Sequence, residues 1–215
     1  MRAAIRAKVT AARRKHATDP DEAARSARTY FALARDLIAP PAPRLVAVGG
    51  LSGTGKSVLA RALAAFVPPA PGAVVLRSDI ERKVLFGVAE TDKLPPSAYS
   101  REVTEKVYAT LALKARRIIA AGHSAIVDAV FARDEERRTI AQAANGVPFS
   151  GLFLVADLAT RVARVDTRMH DASDADAAVA KQQEQYALGT MEWTEIDASG
   201  TPGETLEKAK AALKL

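Results

Sequence analysis

Residues 50–57 read GLSGTGKS, with glycines at the first, fourth and sixth positions and Lys56 and Ser57 after them. The chemistry of this spacing is phosphate binding. The glycines let the main chain curl until successive N–H groups point inward at phosphate oxygens, and a helix starting near Lys56 adds the positive end of its dipole. Lys56 would bridge the β- and γ-phosphates of ATP, and Ser57 would ligate Mg²⁺. The stretch satisfies the P-loop pattern in full. Gly50, Ser52, Gly53, Thr54, Gly55, Lys56, Ser57 and Val58 are therefore the expected nucleotide-binding residues.

Two aspartates follow apolar runs, Asp79 in AVVLRSD and Asp128 in AIVD. In an open parallel sheet, ligands sit beyond the carboxyl ends of the strands, so a carboxylate at either strand end faces the crevice that holds the P-loop. Asp128 has the Walker-B position, a carboxylate for Mg²⁺ or its water shell; the alternative is a turn residue. Asp79 is a general base for a hydroxyl proton, an N-cap of the helix through IERKVLF, or both. Arg77, Arg82 and Lys83 surround it, either to bind an anionic acceptor, with Arg77 and Arg82 foremost, or as a solvated face.

Further on, RVARVDTRMHDASDADA places Arg161, Arg164 and Arg168 at spacings of three and four, on one face of a helix. It then breaks into an Asp-rich turn, where Ser173 would cap the next helix. A lid over about residues 158–176 would bring Arg164 and Arg168 over the phosphates as catalytic cations. The alternative is a surface helix whose arginines pair with Asp157, Asp166 and Asp171. His170 reads as an exposed polar residue, His123 carries no chemistry, and Trp193 and Tyr186 read as packing residues. Residues 197–204, DASGTPGE, form a loop opening a helix; by analogy with nucleoside-kinase-like folds it borders the adenine, or it is an ordinary capped turn.

The elements that must position these groups are legible in outline. Apolar runs at RLVAVGG, AVVLRSD, SAIVDAVF, FSGLFLVAD and WTEIDAS alternate with helical segments, one of them spanning about residues 100–121 with Val103, Val107, Leu111 and Ile118 on one side. Other helices are expected at about 56–66, closing with Gly189 after DADAAVAKQQEQYAL, and after Thr201, with Glu204 completing a capping box. This pattern predicts an α/β fold, a five-stranded parallel sheet covered by helices on both faces. Residues 1–38 read as a helical hairpin, with Asp19 as N-cap, Pro20 at the first position and Glu22 placed for a capping box. Its expected stripes are Ile5, Val9 and Ala12 on the first helix and Ala24, Ala27, Phe31, Ala34 and Ile38 on the second. The Pro-rich residues 39–43 form a stiff connector, and 44–215 form the phosphate-binding domain.

At 215 residues, 48% of them hydrophobic, the chain has enough apolar material for one sizeable core and an appendage. It contains 0 cysteines, so disulfides, zinc–thiolate sites and cysteine nucleophiles are excluded. With no long apolar run and no secretory leader, the expectation is a cytoplasmic protein without a membrane span. The formal charge is +6, but residues 1–38 hold 9 Lys and Arg against 4 Asp and Glu, while the remainder is nearly balanced at 22 against 21. The surplus lies away from the phosphate motif, which argues against nucleic acid as the acceptor.

Taken together, the P-loop, LRSDIERKVLFG, AIVDAVF and RVARVDTRMHDASDADA resemble the P-loop kinases that form the C-terminal part of fused aminoglycoside-phosphotransferase/ATP-binding proteins. They are more distantly similar to gluconate kinase, zeta toxin and the kinase domain of polynucleotide kinase. The resemblance covers residues 44–200 and implies a P-loop NTPase fold of the nucleoside/shikimate-kinase type. It implies that Asp79 accepts the proton and that lid arginines within residues 161–168 contact phosphates. It also implies that residues 1–38 match the linker tail of an upstream phosphotransferase-like half, so that the chain is either a fragment or a relative whose hairpin docks elsewhere, on such a domain or on a second copy. It names no acceptor.

The expected activity is ATP- and Mg²⁺-dependent phosphorylation of a hydroxyl on a small molecule, a sugar or sugar derivative being favoured. A 5′-hydroxyl polynucleotide kinase and a regulatory ATP-binding module are the two alternatives. The first would need a basic channel with stacking aromatics, and only 5% of the residues are aromatic.

Overall fold

The computed structural model describes residues 1–167 and 171–215. The chain divides into two units, Met1–Ala42 and Pro43–Leu215.

In the larger unit, strands without polar alternation are covered on both faces. All six residues of β1 (Leu45–Gly50) and all four of β3 (Ala125–Asp128) are buried. With β2 (Val74–Arg77), β4 (Phe149–Val155) and β5 (Thr194–Asp197) they form a parallel sheet in the order β2-β3-β1-β4-β5. Because successive side chains alternate between faces, the strands feed two cores. Leu45, Ala47, Ala125 and Val127 point to one face, against Val107, Leu111, Ala115 and Ile119 of the helix Arg101–Ala120 and Ile140 of the helix Asp134–Gln142. Val46, Val48, Ile126, Leu152 and Leu154 point to the other, against Leu59 and Leu63 of the helix Lys56–Ala64 and Ala209 and Leu213 of the helix Pro202–Leu213. The last helix opens with the expected capping box between Thr201 and Glu204.

β1 lies between β3 and β4, so the chain order reverses at the strand that delivers the P-loop. This is the switch point where open α/β sheets form their crevice. Trp193 packs edge-on against Phe131 and Phe149, with ring centroids 5.0 and 5.9 Å apart. Its indole rests on the sheet where Gly151 leaves room: a Cβ there would lie 2.3 Å from the ring.

Several boundaries differ from expectation. β2 ends at Arg77, and Ser78 and Asp79 begin the helix Ser78–Phe86. Asp79 therefore occupies a first helical turn rather than a strand end, and it is not the N-cap. The helix Ala177–Gln182 is capped by Asp176, whose side chain accepts from the Val179 N–H at 2.9 Å, not by Ser173. It passes into a 3₁₀ turn, Gln183–Gln185, and so ends before Gly189.

The smaller unit consists of the helices Arg2–Arg13 and Pro20–Ile38. Asp19 caps the second alone, accepting from the N–H groups of Asp21 and Glu22, both at 2.9 Å. Alanines carry the seam: Ala7, Ala27 and Ala34 are the buried residues, whereas Phe31 and Ile38 of the expected stripe are 66% and 84% exposed. Small side chains permit close helix approach, so the larger apolar groups fall outside the seam.

Among the described residues no helix is long and apolar enough to cross a membrane.

Candidate active site

The P-loop glycines take the backbone that the motif requires. Gly50, Gly53 and Gly55 have φ of 138°, 86° and 92°, a region that side chains other than glycine's enter at a cost of roughly 1–2 kcal/mol. Gly53 carries a second constraint, since a Cβ there would lie 2.4 Å from the carbonyl oxygen of Arg161, while one at Gly55 would meet nothing within 4 Å. Gly53→Ala is accordingly expected to lower Tm clearly more than Gly55→Ala, which introduces conformational strain alone. Thermal melts of the two variants check this, and equal losses would count against close packing of the P-loop on Arg161.

Within the loop, the Thr54 hydroxyl and the Lys56 Nζ both donate to the Leu51 carbonyl, at 2.8 and 3.0 Å. The Ser57 hydroxyl donates to Asp128 Oδ2 at 2.5 Å. Parallel register sets Val48 of β1 and Arg77 of β2 on either side of Asp128. Ser57 and Asp128 thus form a hydroxyl–carboxylate pair beside the nest, the set of hard oxygen donors that Mg²⁺ takes when phosphates and waters complete its shell.

Arg77, expected to meet an acceptor, turns inward instead. Its Nε donates to Asp128 Oδ2 at 3.3 Å and its Nη2 to Asp171 Oδ1 at 2.7 Å, and the side chain is buried. Burial opposes its charge, but Asp171 and Asp128 together hold the guanidinium pKa above its usual value. Arg77 positions Asp128 rather than lining the cavity.

Asp79 shares one cavity of about 1210 Å³ with Lys56, Ser57 and Asp128. Burial, and then the charge of Asp128, push its pKa above the ordinary carboxylate range; Lys56, Arg77 and a hydrogen bond with Ser173 act in the opposite direction. Arg82 also lines this cavity. Its guanidinium lies 4.8 Å from the Tyr99 ring centre, Nη1 donates to the Ala98 carbonyl at 2.6 Å, and Nε is buried with no hydrogen-bond partner among the described residues.

The arginines of the expected lid are engaged with the protein. Arg161, only 1% exposed, donates to the Ser52 carbonyl at 3.4 Å and pairs with Glu184. Arg164 donates to the carbonyls of Ala198 and Gly200, both at 2.8 Å, and so fastens the 197–204 loop, whose Ala198 also lines the cavity. Asp157 caps its own helix, Leu158–Asp166, and Asp171 pairs with Arg61 and Arg77. Arg168 and His170 lie outside the described residues.

Three groups escaped sequence reasoning. Asp174 accepts from Lys83, from the Tyr99 hydroxyl at 2.6 Å and from the Leu94 N–H at 3.1 Å. Burial alone would raise the Asp174 pKa, but these three donors hold it below the usual range. Tyr186, read as packing, is 44% exposed and lines the cavity. Gln183 reaches the P-loop and accepts from the Ser52 N–H at 2.6 Å. Only the DASDAD run hinted at the first; nothing local in the sequence marks the other two.

The model of an AAA domain family (AAA_33) matches residues 45–188. Uncharacterized proteins of Mycobacterium tuberculosis and Mycobacterium bovis are 34% identical over 209 residues, 93% of this chain; the chain spans about 40% of their length. Among solved structures, a gluconokinase from Sinorhizobium meliloti superposes with a TM-score of 0.58 at 18% identity, over 80% of this chain and 92% of that one. A sugar kinase from Janibacter sp. gives 0.60 at 19% identity, over 81% and 95%. The APS kinase of Mycobacterium tuberculosis, solved with AMPPNP and APS, gives 0.53 at 18% identity, over 82% and 100%. These likenesses establish the fold as that of P-loop kinases.

Proposed function

Because this chain belongs to the AAA domain family, we propose that it is an ATP-dependent kinase that transfers the γ-phosphoryl group to a hydroxyl of a small molecule, a sugar or sugar derivative. The observation that carries this reading is the meeting, in one cavity, of the P-loop lysine, the Ser57–Asp128 pair and a carboxylate with raised proton affinity.

In the proposed reaction the acceptor oxygen forms a bond to the γ-phosphorus as the bond to the β–γ bridging oxygen breaks, and ADP leaves. Asp79 takes the acceptor's proton as the new bond forms. Lys56 and the inward N–H groups stabilise the charge shared by the β- and γ-oxygens. Ser57 and Asp128 would hold Mg²⁺, which when bound neutralises charge on those same oxygens. Arg82 and the tyrosine at 99 form the proposed acceptor wall. Of the two arginines expected over the phosphates, Arg164 fits better as an anchor of the nucleotide loop.

Three features support a small hydroxylated acceptor over a polynucleotide. The cavity wall sets the carboxylates of Asp79, Asp174, Asp176 and Glu136 among the cations of Lys56, Arg82, Lys93, Arg133 and Arg164, a mixed lining rather than a basic channel, and it carries Tyr99 and Thr104, which can hydrogen-bond hydroxyls. Two of the structural neighbours are named as gluconokinase and sugar kinase. The hairpin's docking on a phosphotransferase-like domain, or on a second copy, belongs to the same proposal and is supported by the greater length of the mycobacterial relatives.

The test is a screen of sugars, nucleosides, antibiotics and oligonucleotide 5′ ends for acceptor-dependent release of ADP. A sugar that stimulates turnover at least tenfold is the expected result. Stimulation by oligonucleotide ends alone would transfer the assignment to polynucleotides, and basal hydrolysis unmoved by any acceptor would favour a regulatory module.

A further inference from the structure

The Ser52 main chain is held by two residues that flank the Asp-rich turn, Arg161 before it and Gln183 after it. Its N–H donates to the side-chain oxygen of Gln183 at 2.6 Å, while its carbonyl accepts from Arg161 at 3.4 Å. Arg161 in turn pairs with Glu184, the neighbour of Gln183. Gln183 is only 6% exposed and lines the large cavity. A buried amide oxygen on an inward-pointing P-loop N–H stands where a phosphate oxygen would stand.

Which phosphate follows from the lysine. Lys56 serves the β- and γ-phosphates in loops of this pattern, and its Nζ lies 3.0 Å from the carbonyl of Leu51, the residue next to Ser52. The Ser52 end of the nest is therefore the terminal-phosphate end, and the end at Ser57 and Val58, in the first turn of the helix Lys56–Ala64, is the opposite one.

We infer that Gln183 is a specificity-determining residue that competes with the terminal phosphate of a triphosphate for the Ser52 N–H and leaves a diphosphate undisturbed. The inference rests on the nucleotide-site reading above. A diphosphate seated deeper in the nest retains the Gln183 contact. A triphosphate must displace it, and in doing so frees the 3₁₀ turn Gln183–Gln185 from the P-loop. The hydrogen bond stabilises the nucleotide-free state, so its loss should appear as tighter binding of the triphosphate only.

The experiment is calorimetric titration of the wild-type chain, Gln183→Ala and Gln183→Met with AMPPNP and with ADP, both with Mg²⁺, after thermal melts show that each variant is folded. Methionine keeps the length of the side chain and removes the acceptor. A net hydrogen bond is worth about 1 kcal/mol, so both variants are expected to bind AMPPNP roughly fivefold more tightly with ADP affinity unchanged. Equal changes for the two nucleotides, no change, or weaker AMPPNP binding would overturn the proposal while leaving the nucleotide site intact. Failure of the wild-type chain to bind either nucleotide would overturn both together.

Discussion

Asp79→Asn is expected to lower kcat by about 100- to 10,000-fold, the range that a positioned general base supplies, while leaving the affinity for ATP nearly unchanged. Asparagine keeps the shape and the hydrogen bond with Ser173 but cannot accept a proton. Single-turnover transfer to the acceptor found by the screen measures the first quantity, and titration with AMPPNP the second. Equal losses in both would mean that Asp79 is structural.

The raised proton affinity of Asp79 adds a signed pH dependence. Its causes are burial and the neighbouring Asp128 charge. A general base must be ionised, so kcat/KM should rise with pH on a limb displaced above the ordinary carboxylate range, and that limb should vanish in the asparagine variant. Stability runs the other way. The folded state holds this proton more tightly than the unfolded chain does, so stability falls as pH rises from the unfolded carboxylate pKa through the folded one. The asparagine variant avoids that loss, and near neutral pH it should melt above the wild-type chain. A variant at once less active and more stable marks a group placed for chemistry.

Lys56→Ala carries the second large effect. The ammonium is held at the P-loop by the Leu51 carbonyl, and the proposed reaction has it meet the β- and γ-oxygens. Hydrogen bonds to charged groups contribute about 1.5–3 kcal/mol, so the Kd for ATP should rise by roughly 10- to 150-fold, with a further loss in kcat. Titration with AMPPNP and with ADP checks it, and an unchanged Kd would remove the phosphate-site assignment.

The layered sheet was readable because it rests on local patterns: fully apolar strands, and helices with one buried side. The P-loop was readable because eight consecutive residues carry it. What was not readable depends on contacts across the sheet or across long stretches of chain. Asp79 was expected at a strand end, yet the strand stops at Arg77, whose side chain is drawn inward to Asp128 on the neighbouring strand. The same cross-strand pairing draws Arg77 away from the acceptor role expected of it: no local pattern shows which carboxylate a lone arginine meets. Gln183 lies 131 residues from its partner Ser52, in a 3₁₀ turn that follows a helix capped by Asp176 and not by the expected Ser173. In the hairpin, large apolar side chains at helical spacing looked like the seam, but alanines allow the closer approach and took it.

The chain contains 1 tryptophan, and its indole is wedged against Gly49 of β1 and Gly151 of β4; a Cβ on Gly49, immediately before the P-loop, would come within 3.1 Å of it. The protein thus has a natural optical label at a single address, next to the P-loop. Its emission reads that one spot without any added dye, so the filling of the nest and the melting of the sheet can be followed in the same cuvette.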